Sequence, residues 1–280
     1  MAFAATIGFF DGVHTGHQFV LQRLIMVANE KGLDTAVIVF EDHPQKVLQG
    51  MQVPLLTTYE ERMELLKNSG ISKILPFRFA EIQALKAEEF MQLLHAQYDV
   101  DTLVMGYDHH FGSDRLTDFC DYQISADRVG MNLIRLPQNP ASNASSTVIR
   151  RALLKGDIEL ANRLLGYPYS FTGTVVKGRQ IGRTIGFPTA NLSVSEDKLL
   201  PAAGVYVCEV DDRKALLNIG NNPTVNGMEQ TIELHLIGFQ GDLYGKQLRV
   251  RLLQYLRPER KFENMEALRL QIEQDVAALK

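Results

Sequence analysis

The periodicity of this chain changes partway along it, and that change limits the folds available more than any other feature. From residue 4 to about residue 136, short apolar runs alternate with longer amphipathic stretches, whereas beyond Tyr169 strand-like runs follow one another until a last amphipathic segment. Alternation of that kind is what strands crossed over by helices require, so an α/β unit with a Rossmann-like parallel sheet is expected first. Strands are predicted over 4–8, 35–40, 71–75, 102–105 and 132–136. Helical stripes run through Val20, Leu24 and Val27, through Met63 and Leu66, and through Phe90, Leu93, Leu94 and Tyr98. Two short helices are expected over 146–155 and 158–165. The second part carries runs at 170–176, 205–210, 215–219, 231–237 and 247–253, separated by Gly, Asn and Asp, which predicts a compact antiparallel β-barrel. A terminal helix from about Asn264, with Ala267, Leu268, Ile272 and Val276 on one side, is expected to pack on it. With 280 residues, two domains are expected, 1–165 and 166–280, the boundary falling at Gly166-Tyr-Pro168.

Several function classes are disfavoured. A formal net charge of -4 argues against a general nucleic-acid binder. No run approaches the roughly 18 apolar residues of a membrane span, and the apolar start lacks a basic flank, the first arginine being Arg23, so no leader is expected. Cys120 and Cys208 are far apart and without metal or redox spacing, which suits a reducing, cytoplasmic setting.

Two stretches carry chemistry. The first, Gly8-Phe-Phe-Asp-Gly-Val-His-Thr-Gly-His17, follows a predicted strand and enters a predicted helix, so its amides and imidazoles sit at a helix N-terminus, where phosphate is favoured. Gly8, Gly12 and Gly16 let the backbone approach a ligand, and His14 and His17, three apart, project from neighbouring positions. Phe9 and Asp11 complete this candidate nucleotide site. A plain tight turn would explain a single glycine here, but not two His, three Gly and one Asp within ten residues. Ser145-Ser146-Thr147 with Arg150 opens a later predicted helix, and by itself reads equally well as a helix cap. Gly106-Tyr-Asp108-His-His-Phe111-Gly leaves the strand at 102–105 at its C-terminal end, the side that faces the crevice of such sheets. The neighbouring His109 and His110 do not by themselves converge on a metal.

The second stretch is Gly178-Arg-Gln-Ile-Gly182-Arg183-Thr-Ile-Gly186-Phe-Pro188-Thr189-Ala-Asn191, spaced glycines and cations followed by two neutral oxygen ligands. In extended backbone Thr189 and Asn191 share a side, a donor set suited to Mg2+ and phosphate oxygens. Downstream, Thr231-Ile-Glu-Leu-His-Leu236 alternates strictly, placing Glu233 and His235 on one face.

Both stretches match known signatures. The first, with Ser145 to Arg150 and the loop from Gly106, resembles the FAD synthetase module of prokaryotic bifunctional riboflavin kinase/FMN adenylyltransferases, in the nucleotidyltransferase superfamily. The second resembles the riboflavin kinase signature G-R-x-x-G-F-P-T-A-N. The resemblance spans essentially the whole chain. It implies that riboflavin, FMN and ATP are the small-molecule substrates; on the charge and apolar runs above, neither nucleic acid nor membrane is expected as a partner. It further implies that His14 and His17 contact ATP phosphates, that Arg150 holds the β- and γ-phosphates, and that Asp108 and Phe111 lie beside the flavin. Glu233 matches the catalytic glutamate, and Arg257 and Phe262 fall in a flavin-binding flap. The chain departs from the family pattern at Asp42, at Ala144 and Val148, and at His109, where the pattern has an aromatic. Two other readings stay open on the residues alone: a kinase whose first module only binds nucleotide, and a non-catalytic flavin-binding regulator.

Overall fold

A computed structural model of the protein describes residues 2–139, 143–178, 182, 186–224 and 227–279, with side chains described outside 221–229. The chain divides into two compact units, Met1–Ser145 and Ser146–Lys280.

The first unit is a five-stranded parallel sheet in the order β3-β2-β1-β4-β5. Its strands are β1 (Phe3–Gly8), β2 (Asp34–Phe40), β3 (Lys73–Phe77), β4 (Val100–Met105) and β5 (Asn132–Arg135). The helices are α1 (Thr15–Lys31), α2 (Pro44–Gln49), α3 (Tyr59–Lys67), the single turn α4 (Phe79–Ile82), α5 (Ala87–Tyr98) and α6 (Phe119–Val129). Successive strand residues point to opposite faces, and both faces are buried. Ala5, Ile7, Ala36, Ile38, Leu103 and Met105 pack with Phe90, Met91, Leu94, Tyr122 and Ala126. Ala4, Val37, Val39 and Val104 pack with Leu21, Leu24, Ala28 and Leu66. A parallel sheet sandwiched by helices needs apolar residues in both registers, which is why these strands read as continuous apolar runs. The third strand lies slightly later than expected, at Lys73–Phe77, because its partner in register is Ala36–Phe40.

The second unit opens with α7 (Ser146–Leu154) and α8 (Ile158–Leu165). Its barrel consists of β6 (Ser170–Val176), β7 (Ala190–Val194), β8 (Gly204–Val210), β9 (Arg213–Thr224), β10 (Gly227–Leu236) and β11 (Gln247–Arg257), closed in the order β10-β7-β6-β11-β8-β9. Terminal helix α9 (Met265–Ala277) follows, and Val276 and Leu279 pack against Val205 and Leu216. Strand β7 lies between the runs expected as strands at 170–176 and 205–210 and is not itself among them. Leu192 faces inward at 6% exposure, and the strand pairs with both β6 and β10, so it is needed to close the barrel.

By compactness the division comes at Ser145/Ser146, earlier than the expected Gly166. The Asn162 carboxamide donates to Leu252 O at 2.9 Å and accepts from Tyr169 N at 2.7 Å, and Ala202 N donates to Leu153 O. These long-range bonds fasten α7 and α8 to the barrel strands.

Candidate active sites

In the first unit, the loop from Gly8 to His14 is held in an unusual conformation. Gly12 has φ 76, and Phe10 (φ 56) and Val13 (φ 35) also enter the left-handed region, which disfavours residues with a Cβ. Two features offset that strain. Phe10 and Val13 are each only 3% exposed, and the Asp11 carboxylate accepts from Leu56 N, Thr57 N and Thr57 Oγ1 at 3.0–3.1 Å. Thr57 Oγ1 in turn accepts from Gly12 N. The described bonds of Asp11 are therefore to the 56–57 segment, which lies 45 residues along the chain.

The loop delivers His14 to the N-cap of α1, where its Nδ1 accepts from His17 N at 3.3 Å. The two imidazoles stack with centroids 3.7 Å apart. His17 Nδ1 is shielded from solvent with no hydrogen-bond partner among the described residues. Burial holds His17 well below the usual histidine range, with His14 and His109 adding repulsion. His17 is thus held uncharged, and both rings stand at the positive end of a helix. Gly16 sits tightly here: a Cβ would meet the His14 ring at 3.1 Å and Ala144 O at 3.4 Å, so the segment ending at Ser145 lies against the start of α1. Ser146, Thr147 and Arg150 belong to the first turns of α7, in the second unit.

Beside the helix end lies a cleft of about 530 Å³, lined by Ile7, Phe40, Phe79, Phe90, His109 and Phe111 among others. Phe111 rests on Tyr122 (4.9 Å between centroids), whose hydroxyl donates to Phe111 O at 2.8 Å. Asp108 is exposed. Phe9 packs edge-on to His43 at 4.7 Å and lies under the Arg62 guanidinium at 4.0 Å. Arg62, which the sequence reading passed over, is fully buried. Its Nη2 donates to Phe40 O and Glu41 O while Nε and Nη1 have no described partner, and burial lowers its pKa to about 10. Nothing in local spacing marks an exposed-type residue such as arginine for the interior.

In the second unit, Glu233 on β10 is directly opposite Asn191 on β7 and Asn218 on β9. His235 shares its face, with Nδ1 bonded to Pro188 O at 2.9 Å and its ring edge-on to Phe187. The turn before Pro188 is closed by Phe187 N donating to Gly182 O, and Gly186 adopts φ 84. A Cβ on Gly178 would collide with the Asn191 carboxamide, so only glycine lets that side chain lie across the loop. Arg183 lies outside the described residues. Two cavities meet at Thr189. One of about 320 Å³ is lined by Thr189, Asn191, Asn218, Glu233, Arg257 and Phe262 among others. The other, of about 300 Å³, runs past Pro188, Thr189, Leu234 and Tyr244. The Arg257 guanidinium, which lines the first, is bidentate to Asp275 of α9 at 2.7–3.0 Å. It fastens the terminal helix over the barrel mouth.

A parallel-sheet unit with imidazoles at a helix N-terminus, followed by a barrel with a glutamate set between two asparagines, defines a two-module enzyme that handles phosphorylated ligands. A FAD synthetase family model matches residues 2–148 and a riboflavin kinase model residues 165–280. The bifunctional riboflavin kinase/FMN adenylyltransferase of Listeria monocytogenes is 36% identical, covering 96% of this chain and 88% of that protein. Its counterpart from Haemophilus influenzae is also 36% identical, covering 99% and 93%. A crystal structure described as a macrolide-efflux protein from Streptococcus pneumoniae aligns with a TM-score of 0.89 at 31% identity, over 99% of this chain and 93% of that one. The efflux designation is that protein's own. Among the described residues, no helix here is long and apolar enough to cross a membrane. The chain belongs to the bifunctional riboflavin kinase/FMN adenylyltransferase family.

Proposed function

We propose that residues 166–280 phosphorylate riboflavin to FMN with ATP, and that residues 1–165 adenylylate FMN to FAD with release of pyrophosphate. The observation that carries the first assignment is Glu233 between Asn191 and Asn218, at the wall of a cavity bordered by Thr189. The flavin's primary hydroxyl attacks the γ-phosphorus of ATP, a phosphorus–oxygen bond to ADP breaks, and the alcohol proton passes to Glu233. Thr189 and Asn191 offer neutral oxygens, which fit Mg2+ carried on ATP phosphates; bound there, the ion neutralises charge on the transferring group. Pro188, Gly178, Gly182 and Gly186 shape the loop that would wrap those phosphates.

Adenylylation needs different chemistry. The nucleophile is already a phosphate oxygen of FMN, which attacks the α-phosphorus while the bond to the β-phosphate oxygen breaks. No proton has to move, and the obstacle is charge. His14, His17 and the amides at the start of α1 answer it, and the aromatic-lined cleft beside them accepts the flavin ring. Incubation with riboflavin, ATP and Mg2+, followed by chromatographic separation of FMN and FAD, tests both assignments. Absence of FMN would sink the first, and absence of FAD from supplied FMN the second. Excess chelator is expected to stop both steps.

A further inference from the structure

We propose that His109 is a third imidazole of the adenylyl-transfer site, the group that receives the phosphate of FMN. This rests on the reading that the first module adenylylates FMN, and it assigns a residue at which this chain departs from the family pattern.

The loop leaving β4 turns back on itself, His109 N donating to Gly106 O at 3.3 Å. Gly106 is packed between His109 and α1, since a Cβ there would lie 3.8 Å from His109 Cβ and 4.0 Å from Val20 Cγ2. Val20 is three residues beyond His17, on the same side of the helix. The loop therefore brings His109 over the first turns of α1, within electrostatic reach of His17. At the same time His109 lines the apolar cleft, 6.1 Å from the Phe111 ring and tilted 34° to it. One imidazole thus stands where the cleft suited to a flat ring meets the helix end suited to phosphate.

Its hydrogen bonding points the same way. His109 Nε2 is shielded from solvent and has no partner among the described residues, and the same is true of His17 Nδ1. Buried polar atoms are normally paired, and two orphan imidazole nitrogens from separate elements, at one junction, call for a ligand that brings oxygens to them. ATP and FMN each join a flat ring to phosphate; the apolar cleft is assigned above to the flavin, so the phosphate that reaches the junction from it is that of FMN. Burial keeps His109 uncharged, its pKa pushed down to about 4, with Asp108 opposing and His110 adding to the fall. An uncharged imidazole still donates one N–H to a phosphate oxygen. An aromatic residue at this position supplies the ring wall without the donor.

The test uses the full-length enzyme and compares His109→Phe, which keeps a ring, with His109→Gln, which keeps an N–H donor. Adenylylation of FMN is measured with every protein carrying Glu233→Gln, which suppresses conversion of riboflavin to FMN, so that riboflavin, which lacks the phosphate, serves as competitive inhibitor. The expected result for His109→Phe is a rise in KM for FMN of about tenfold or more, with the inhibition constant for riboflavin and the KM for ATP within about twofold of the parent. Part of the FMN effect should return in His109→Gln. An unchanged KM for FMN would overturn the proposal, as would a parallel rise in the riboflavin constant, which marks a role in shaping the cleft alone. A parent enzyme that fails to adenylylate FMN would instead overturn the underlying assignment, whereas a KM for ATP near the parent's in the adenylylation assay shows that the first unit of each variant is folded.

Discussion

Glu233 faces Asn191 across one strand pair and Asn218 across the other, so the barrel's hydrogen-bond ladder itself fixes the carboxylate between two neutral carboxamide residues. Directly opposed residues have Cβ atoms about 4.5–5.5 Å apart, and no loop closure is needed to bring them together. A one-residue slip of β10 would turn Glu233 to the interior and Leu234 to the cavity, so register and activity are linked.

That placement predicts the effect of Glu233→Gln. Because the kinase nucleophile must lose a proton, FMN formation should fall about a hundredfold or more, while adenylylation of supplied FMN stays close to normal. The converse pair, His14→Ala with His17→Ala, should abolish FAD while riboflavin still becomes FMN. Both half-reactions are measured on each variant; loss of the wrong half-reaction would reverse the assignment of roles.

Asp11 offers a sharper distinction between architecture and ligand contact. Asp11→Asn keeps one acceptor oxygen, yet Leu56 N and Thr57 N bond different oxygens of the parent carboxylate. One of the two amides then faces the carboxamide NH2 in place of an acceptor oxygen, at a cost of about 1–3 kcal/mol to the first unit. Urea unfolding should report that loss, with FAD formation weakened and the kinase rate unaffected. A variant of normal stability that still loses FAD formation would show that the carboxylate serves the ligand directly.

Stability of the first unit should fall as pH drops from about 6.5. His109 titrates near 4 when folded and near 6.5 when unfolded, so within that interval the unfolded chain binds a proton that the folded chain does not. The contribution is complete above 6.5, declines toward 4 and levels off below it. At about 1.4 kcal/mol per unit the limit is about 3 kcal/mol, and screening at this half-buried ring reduces it to about 1–2 kcal/mol. His17, shifted in the same direction, adds to it. Comparing urea midpoints of parent and His109→Phe across this interval checks the sign; equal slopes would remove His109 from the account.

The helices α7 and α8 predict where the second unit can be cut free. A piece starting at Ser146 keeps the buried Ile149, Leu153, Ile158 and Leu165 and the Asn162 bonds to Tyr169 and Leu252. A piece starting at 166 loses them, and each buried aliphatic side chain is worth about 1.5–3 kcal/mol. The longer piece should unfold cooperatively and phosphorylate riboflavin, and the shorter should be much less stable. Equal stability of the two would place the helices outside the folding unit.

Much of this molecule is legible in its sequence because the determining signals are local. The double apolar register of β1, β2 and β4, the glycine and histidine run at 8–17, and the alternation around Glu233 need only neighbours a few residues apart. What escaped depends on distant partners. The bonds from Asp11 to Leu56 and Thr57 join residues 45 and 46 positions apart, so no local pattern announces them. Strand β7 has only five residues and follows a run of glycines and Pro188, so it is its pairing with β6 and β10 that marks it as a strand. Burial of Arg62 follows from Phe9 and the carbonyls at the end of β2, none of which lies near it in sequence.

Arg257 and Asp275 provide the last prediction. Their side chains are 12% and 5% exposed, and Gln271 Nε2 also donates to Asp275 Oδ1, so the pair is enclosed and bidentate. Removing one partner from such a pair leaves a charge buried without compensation, typically a loss of about 3–5 kcal/mol, whereas replacing both with apolar residues of similar size is often neutral. Asp275→Ala should therefore destabilise the second unit strongly and release α9, with Leu268 and Ile272, from the wall of the Glu233 cavity. Arg257→Met with Asp275→Leu should recover most of the stability. Kinase activity then separates the two roles of Arg257. If it only anchors the helix, the double variant regains the KM for riboflavin together with its melting temperature. If the guanidinium also contacts flavin, as the family resemblance implies, stability returns while that KM stays raised by about tenfold. A double variant as unstable as Asp275→Ala would contradict the ion-pair account, because the remaining apolar contacts of α9 would then be failing for another reason.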